Sequence, residues 1–199
     1  MSHPQAGPFS IPNLLTYARI LAVPVVAGFM AVGEAWAAWV AFGLYTAAAI
    51  TDYFDGLLAR LLNQYSDLGR MLDPIADKLI VAAVIVMLVA EEIVTGWSLV
   101  PAIVILAREF LVSGLREFLG PRNVVIHVTP LAKWKTTIQL VALGLLILVP
   151  AIPLIVMLGL LMFWAAGTLT LVTGYDYVRK GLVHLLPPSQ AERAKSEDT

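Results

Sequence analysis

Stretches free of charge run over residues 20–33, 35–51, 79–90, 93–107 and 138–175, separated by segments that carry charge, proline or glycine. Several are shorter than the roughly 18–20 residues that cross a bilayer as a helix. They reach spanning length only by continuing into charged neighbours, so each such span carries polar groups at one end. The last stretch is 38 residues long, enough for two crossings at about 1.5 Å per residue, with Pro150 and Pro153 marking the hairpin. The pattern predicts an all-α integral membrane protein with six transmembrane helices, at about 14–33, 36–61, 70–90, 97–119, 132–150 and 153–179. No internal repeat supports an inverted-repeat transporter.

The charges orient these helices. All 13 Lys and Arg residues (Arg19, Arg60, Arg70, Lys78, Arg108, Arg116, Arg122, Lys133, Lys135, Arg179, Lys180, Arg193 and Lys195) fall at one set of helix ends. The opposite loops, around Glu34, Glu91–Glu92 and Pro150–Pro153, have none. The positive-inside rule places both termini and the 60–70 and 119–132 loops in the cytoplasm of a cell whose inner (plasma) membrane holds the chain. Trp36 and Trp97 then sit at the outer interface and Trp134 near the inner one, as belt anchors. Met1–Asn13 has no Lys or Arg to form the basic region of a signal peptide, so the first helix is expected to stay in the mature protein. The chain divides into an N-terminal cytoplasmic segment, 1–13, a membrane domain, 14–180, and a polar tail, 181–199, expected to be disordered.

Composition sharpens this picture. Of 199 residues, 59% are hydrophobic and 14% charged, with a mean hydropathy of +0.83, against about 45–50% and about 25% in soluble domains. There is no cysteine, which removes disulfides, zinc–thiolate sites and thiol nucleophiles. A net charge of −1 gives no electrostatic footprint for nucleic acid. The chemistry must use oxygen, nitrogen and metal.

It concentrates between the second and third helices, where Asp52, Asp55, Asp67, Asp73 and Asp77 stand among apolar residues. A carboxylate in a spanning helix costs on the order of 2.5–3.5 kcal/mol on insertion scales, so several together need pairing, water or metal. Asp52 and Asp55 are three apart and share one helix face; Asp73 and Asp77, four apart, share one on the next helix. Two antiparallel helices can point both pairs into one pocket. Four converging carboxylates repel unless cations bind, and an all-oxygen site selects hard ions such as Mg²⁺ or Mn²⁺. Asp67 reads as a loop charge near Arg70.

The spacing Asp52-x-x-Asp55-Gly56-x-x-Ala59-Arg60, eight residues, Gly69-x-x-x-Asp73-x-x-x-Asp77 resembles the signature of the CDP-alcohol phosphotransferases. The segments 11–24, 72–79, 107–117 and 133–143 are similar to the bacterial members that use glycerol 3-phosphate and make phosphatidylglycerophosphate. The resemblance implies a six-helix membrane enzyme of the CDP-alcohol phosphotransferase fold, as a homodimer. It would move the phosphatidyl group from CDP-diacylglycerol to glycerol 3-phosphate with release of CMP, using two Mg²⁺ or Mn²⁺ ions. It also implies roles: Asp52, Asp55, Asp73 and Asp77 as metal ligands, Asp77 also as general base, and Gly56, Ala59, Arg60, Ser66 and Gly69 around the nucleotide. Asn13 to Thr16 match a segment that touches the CDP-lipid in relatives; otherwise Asn13 and Thr16 are helix-start residues. Arg60 could instead snorkel to the interface, and Gly56 and Ala59 could serve close helix packing.

Glycerol 3-phosphate is close to a dianion, and Arg108, Arg116, Lys133 and Lys135 supply cations for it. Arg108 and Glu109 lie in a run otherwise able to span, where charge is costly without a task. Arg108 and Arg116 are eight apart, about two turns and one face. Glu109 and Glu117 repeat at the same interval and could hold the arginines in ion pairs; the alternative task is a charge network locking the fourth helix to its neighbours. Arg19 is too deep in the first helix for a casual surface charge and could reach a phosphate or an aspartate. His127 reads as incidental and Asp176 as a structural partner of Arg179. Two other readings remain open: another acceptor (inositol phosphate, serine or phosphatidylglycerol), and a divalent-cation transporter. The transporter is disfavoured because the acidic cluster sits at helix ends and no charges line a path to the opposite loops.

Overall fold

A computed structural model describes residues 10–62, 67–119 and 130–183; within these helices the side chains of 11–12, 52–62, 67–68, 70, 130–133 and 180–183 are outside the description. Among the described residues the chain is all α, with no strand. Six helices follow one another: α1 (Ile11–Ala31), α2 (Ala35–Leu62), α3 (Asp67–Ala90), α4 (Leu99–Leu119), α5 (Pro130–Ile147) and α6 (Val156–Val183). The expected helices are all present, with ends displaced by a few residues for local reasons. Pro12 suits the first turn of a helix, where no backbone N–H partner is needed, so α1 begins at Ile11 and not at 14. Pro150 disfavours helical backbone in the residue before it; α5 stops at Ile147, and the chain turns through Pro153–Ile155 before α6. The tight turn after α1 uses Gly33 at φ 71°, a left-handed conformation that glycine adopts without strain.

Among the described residues three helical segments are long and apolar enough to cross a membrane: Asn13–Ala31, Gly96–Leu119 and Pro153–Arg179. Ala35–Thr51 and Trp134–Ile147 are shorter apolar helices. The apolar part of α3 is cut short because Asp73, Asp77 and Lys78 occupy its first half. Trp36, Trp97 and Trp134 are all exposed, as side chains that meet a membrane interface must be.

Packing divides into two trios. α1 lies against α2 and α3, and α6 against α4 and α5; the trios join where α2 meets α5 and where α3 meets α4 and α5. The core runs along the charge-free half. On α3 it takes Ala76, Ile80, Val84 and Leu88, a stripe at four-residue spacing widened by Val81 and Ile85. Ala41 and Tyr45 of α2, Leu143 and Leu146 of α5 and Phe163 of α6 fill the space opposite. The Tyr45 hydroxyl donates to the Leu140 carbonyl at 3.3 Å, tying α2 to α5.

Small residues set the closest approaches. A Cβ on Gly167 would fall 2.6 Å from Pro101 Cβ, and one on Gly174 2.8 Å from Arg108 Cγ, so two glycines two turns apart seat α6 on α4. Gly167→Ala should therefore lower the Tm of the detergent-solubilised protein, with an overpacking cost of about 1–3 kcal/mol. Gly43→Ala, where nothing lies within 4 Å, should leave it unchanged or raise it slightly. Equal Tm values for the two variants would contradict this account of the α4–α6 contact.

Candidate active site

Polar side chains gather at the basic ends of the helices. On α1, Asn13, Thr16 and Arg19 recur every three residues and all are buried. α1 begins at Ile11, so none of them caps it. The Thr16 hydroxyl donates to Asp73 Oδ1 at 2.6 Å, the short length of a charge-assisted O–H···O bond. Arg19 borders a cleft between α1 and α2 with Ala18, Ala22, Ala48 and Thr51.

On α3, Gly69 is buried and Asp73 and Asp77 follow at four-residue intervals, both partly exposed. Lys78, the next residue, donates to Asp77 Oδ2 at 2.7 Å and lies 3.5 Å from Glu109 Oε2 on α4. Glu109 is a hub. Its Oε1 accepts from Arg108 Nη1 at 3.2 Å and from the ammonium of Lys135 on α5, which is almost wholly buried. Three cations from three helices thus surround one buried carboxylate, and α3, α4 and α5 are fixed in register by it.

Arg116 is exposed on the last turn of α4 and is not among Glu109's partners. Between α3 and α4 a cleft of about 540 Å³ opens beside Lys78, bordered by Pro74, Ile75, Phe110, Ser113 and Glu117. Its walls are mostly apolar, with Lys78 and Glu117 as the charged groups.

The structure therefore brings together Thr16 with Asp73, and Asp77 with Arg108 and Lys135 through Lys78 and Glu109. It places Asp52, Asp55, Gly56, Ala59 and Arg60 on the second half of α2, but their side chains, that of Lys133, and Ser66 altogether lie outside the described residues, as do His127 and Arg122. Among the described residues no group of three acidic, histidine or cysteine side chains is placed to hold a metal ion. Asp73 and Asp77 contribute two carboxylates from α3. Both offer oxygen donors, which suit a hard cation; Asp73 is oriented by a neutral hydroxyl, which leaves its charge available to a ligand, whereas Asp77 already shares its charge with Lys78.

Two members of this arrangement escape a reading by spacing. Lys78 counts there only as one of the basic residues, although a cation just before a 12-residue apolar run signals that its charge is engaged. Thr16 reads as a lipid contact or a helix-start residue, and no local pattern pairs it with a residue 57 positions away.

The model of the CDP-alcohol phosphatidyltransferase family matches residues 9–172. A Cereibacter sphaeroides protein named CDP-diacylglycerol--glycerol-3-phosphate 3-phosphatidyltransferase is 40% identical, over 89% of this chain and 97% of its own length. Proteins of the same name from Rickettsia bellii and Salmonella choleraesuis are 44% and 41% identical, each over 85% of this chain and over 94% and 93% of their own lengths.

The Thr16–Asp73 bond makes a prediction of its own. The family resemblance implies that Asp73 is a metal ligand, and loss of a hydrogen bond that orients such a ligand typically weakens metal binding about 10–100-fold. Thr16→Val should shift the Mg²⁺ dependence of thermal stabilisation to higher concentration by that order, while Thr16→Ser should stay near wild type. An unshifted Thr16→Val curve would remove Thr16 from this task.

Proposed function

The chain belongs to the CDP-alcohol phosphatidyltransferase family, and from that premise we propose that it is a phosphatidylglycerophosphate synthase. It transfers the phosphatidyl group of CDP-diacylglycerol to glycerol 3-phosphate, giving phosphatidylglycerophosphate and CMP. The observation that carries this reading is the meeting at Lys78 of Asp77, on the aspartate face of α3, with the cation cluster of α4 and α5. A diphosphate donor needs the first group, and an acceptor that carries its own phosphate needs the second.

In the reaction the terminal hydroxyl oxygen of glycerol 3-phosphate attacks the phosphorus that carries the diacylglycerol. The bond from that phosphorus to the CMP oxygen breaks, and CMP leaves. Asp77 takes the hydroxyl proton as the new bond forms. Two Mg²⁺ or Mn²⁺ ions, which Asp52, Asp55, Asp73 and Asp77 would hold, supply charge neutralisation for the diphosphate. Thr16 fixes the orientation of Asp73. Asn13, Gly56, Ala59, Arg60, Ser66 and Gly69 surround the nucleotide in this reading, with Thr16 beside it. Arg108, Arg116, Lys133, Lys135 and Arg19 supply positive charge for phosphate. Buried donors held in place by neighbours lose little freedom when the ligand arrives, which favours a site of this kind over flexible surface lysines.

The same reading makes all six helices membrane crossings, with the basic ends, both termini and the site on the cytoplasmic side of the inner membrane. It assigns the homodimer that family members form. A site at helix ends suits the substrates: the donor's acyl chains stay in the bilayer, and the water-soluble acceptor arrives from the cytoplasm.

The experiment is CMP release by purified protein with Mg²⁺ and CDP-diacylglycerol, compared across glycerol 3-phosphate, inositol phosphate, serine and no acceptor. Release should be fastest with glycerol 3-phosphate. No CMP with any acceptor would sink the enzyme reading, and faster release with inositol phosphate would overturn the acceptor. Asp77→Asn should lower turnover at least about 10²-fold; near-normal turnover would remove it from the role of base. Arg116→Glu should raise the KM for glycerol 3-phosphate before that for CDP-diacylglycerol, and the reverse order would place it at the donor.

A further inference from the structure

We infer that Lys78 binds the phosphate of the acceptor and, in doing so, sets the acceptor's hydroxyl against Asp77. This rests on the acceptor reading above and adds a residue and a geometry to it. Lys78 is the one described side chain that contacts both Asp77, at 2.7 Å, and the Glu109 cluster, at 3.5 Å. The candidate base and the hub of the cation cluster are therefore no more than two polar contacts apart.

Charge explains why a ligand belongs there. Among the described residues Lys78, Arg108 and Lys135 carry three positive charges against two negative charges, on Glu109 and on Asp77, a surplus of one. A contact that only locked helices together would need one cation for one carboxylate. Clustering further like charges in a poorly hydrated place is unfavourable unless an anion completes the set. A phosphate supplies that anion.

Donor geometry agrees. An ammonium has three N–H donors, and Lys78 turns toward two carboxylates while bordering the open cleft between α3 and α4. Arg108 is held beside Lys78 by Glu109, and Gly174 of α6 leaves room for its stem, with only 2.8 Å from a hypothetical Gly174 Cβ to Arg108 Cγ. In glycerol 3-phosphate the terminal hydroxyl is three carbons from the phosphate oxygen. An acceptor whose phosphate lies on Lys78 and its neighbours reaches Asp77 with that hydroxyl, and a phosphate-free alcohol has nothing to register it there.

The test uses the absence of cysteine from the sequence. In full-length Lys78→Cys, a thiol reagent that adds an aminoethyl group restores an ammonium at this position alone, and a methylating thiol reagent adds bulk without charge. With CDP-diacylglycerol saturating, Lys78→Cys should raise the KM for glycerol 3-phosphate about tenfold or more, the loss of one charged contact. The KM for CDP-diacylglycerol should stay within about threefold. The aminoethyl adduct should recover much of the acceptor KM and the methyl adduct none. A wild-type acceptor KM in Lys78→Cys, or equal values for the two adducts, would overturn the proposal.

Wild-type protein gives a second measurement that needs no variant to fold. Glycerol 3-phosphate should slow acylation of Lys78 by an amine reagent, read by mass spectrometry, and glycerol should not; equal rates with both would overturn the proposal too. Inactivity of the wild type with glycerol 3-phosphate would strike the acceptor reading itself. An active wild type whose Lys78 variant keeps its acceptor KM would strike this inference alone.

Discussion

Charge placed inside an apolar helical bundle must be answered by charge, and the ion cluster around Glu109 is where this protein meets that requirement. Lys135 is almost wholly buried, and Glu109 nearly so. Removing Glu109 would leave the buried ammonium of Lys135 without its counter-charge, typically at about 3–5 kcal/mol. Because Lys78, Arg108, Glu109 and Lys135 come from α3, α4 and α5, satisfying them fixes the axial register of three helices at once. In the apolar half Gly167 and Gly174 fix α6 against Pro101 and Arg108 of α4. The ionic contacts fix α3, α4 and α5, and Asp77 is carried into position by the same constraint, one residue before Lys78.

The two halves of the bundle divide the work. The apolar half supplies close packing, with the α3 stripe at its centre and glycines at Gly167 and Gly174 letting α6 lie directly on α4. The basic half supplies polarity, and its groups hold one another: Thr16 holds Asp73, Lys78 holds Asp77, and Glu109 holds the cations. Asp73 is thus oriented by a residue of α1 and Asp77 by its own neighbour. Pre-set orientation of this kind reduces what substrate binding must later order.

Much of the fold is legible in the sequence because the signals are physical and local. Charge-free runs mark the helices, and the one-sided distribution of Lys and Arg marks which ends belong together. The departures have local causes as well: Pro12 extends α1 toward its start, and Pro150 ends α5 early. Asp73 and Asp77 follow one another on α3 as their four-residue spacing predicts, while the side chains of Asp52 and Asp55 lie outside the described residues. Glu109 is legible in part, since its depth in α4 demands a partner, and Arg108 beside it is one. Lys135 and Lys78 are not, because which cation reaches which carboxylate depends on how α3, α4 and α5 are stacked. Thr16 is the clearest case: a hydroxyl on the first helix acquires its task only when α1 packs against α3.

The central claim is that the terminal hydroxyl oxygen of the acceptor becomes bonded to the lipid-bearing phosphorus. Glycerol 3-phosphate carrying ¹⁸O in its terminal hydroxyl, incubated with the protein and CDP-diacylglycerol, tests that claim most directly when both products are weighed by mass spectrometry. The label should appear in the lipid product, phosphatidylglycerophosphate, and none in CMP. Label in a cytidine-containing product, or a lipid product without it, would contradict the account.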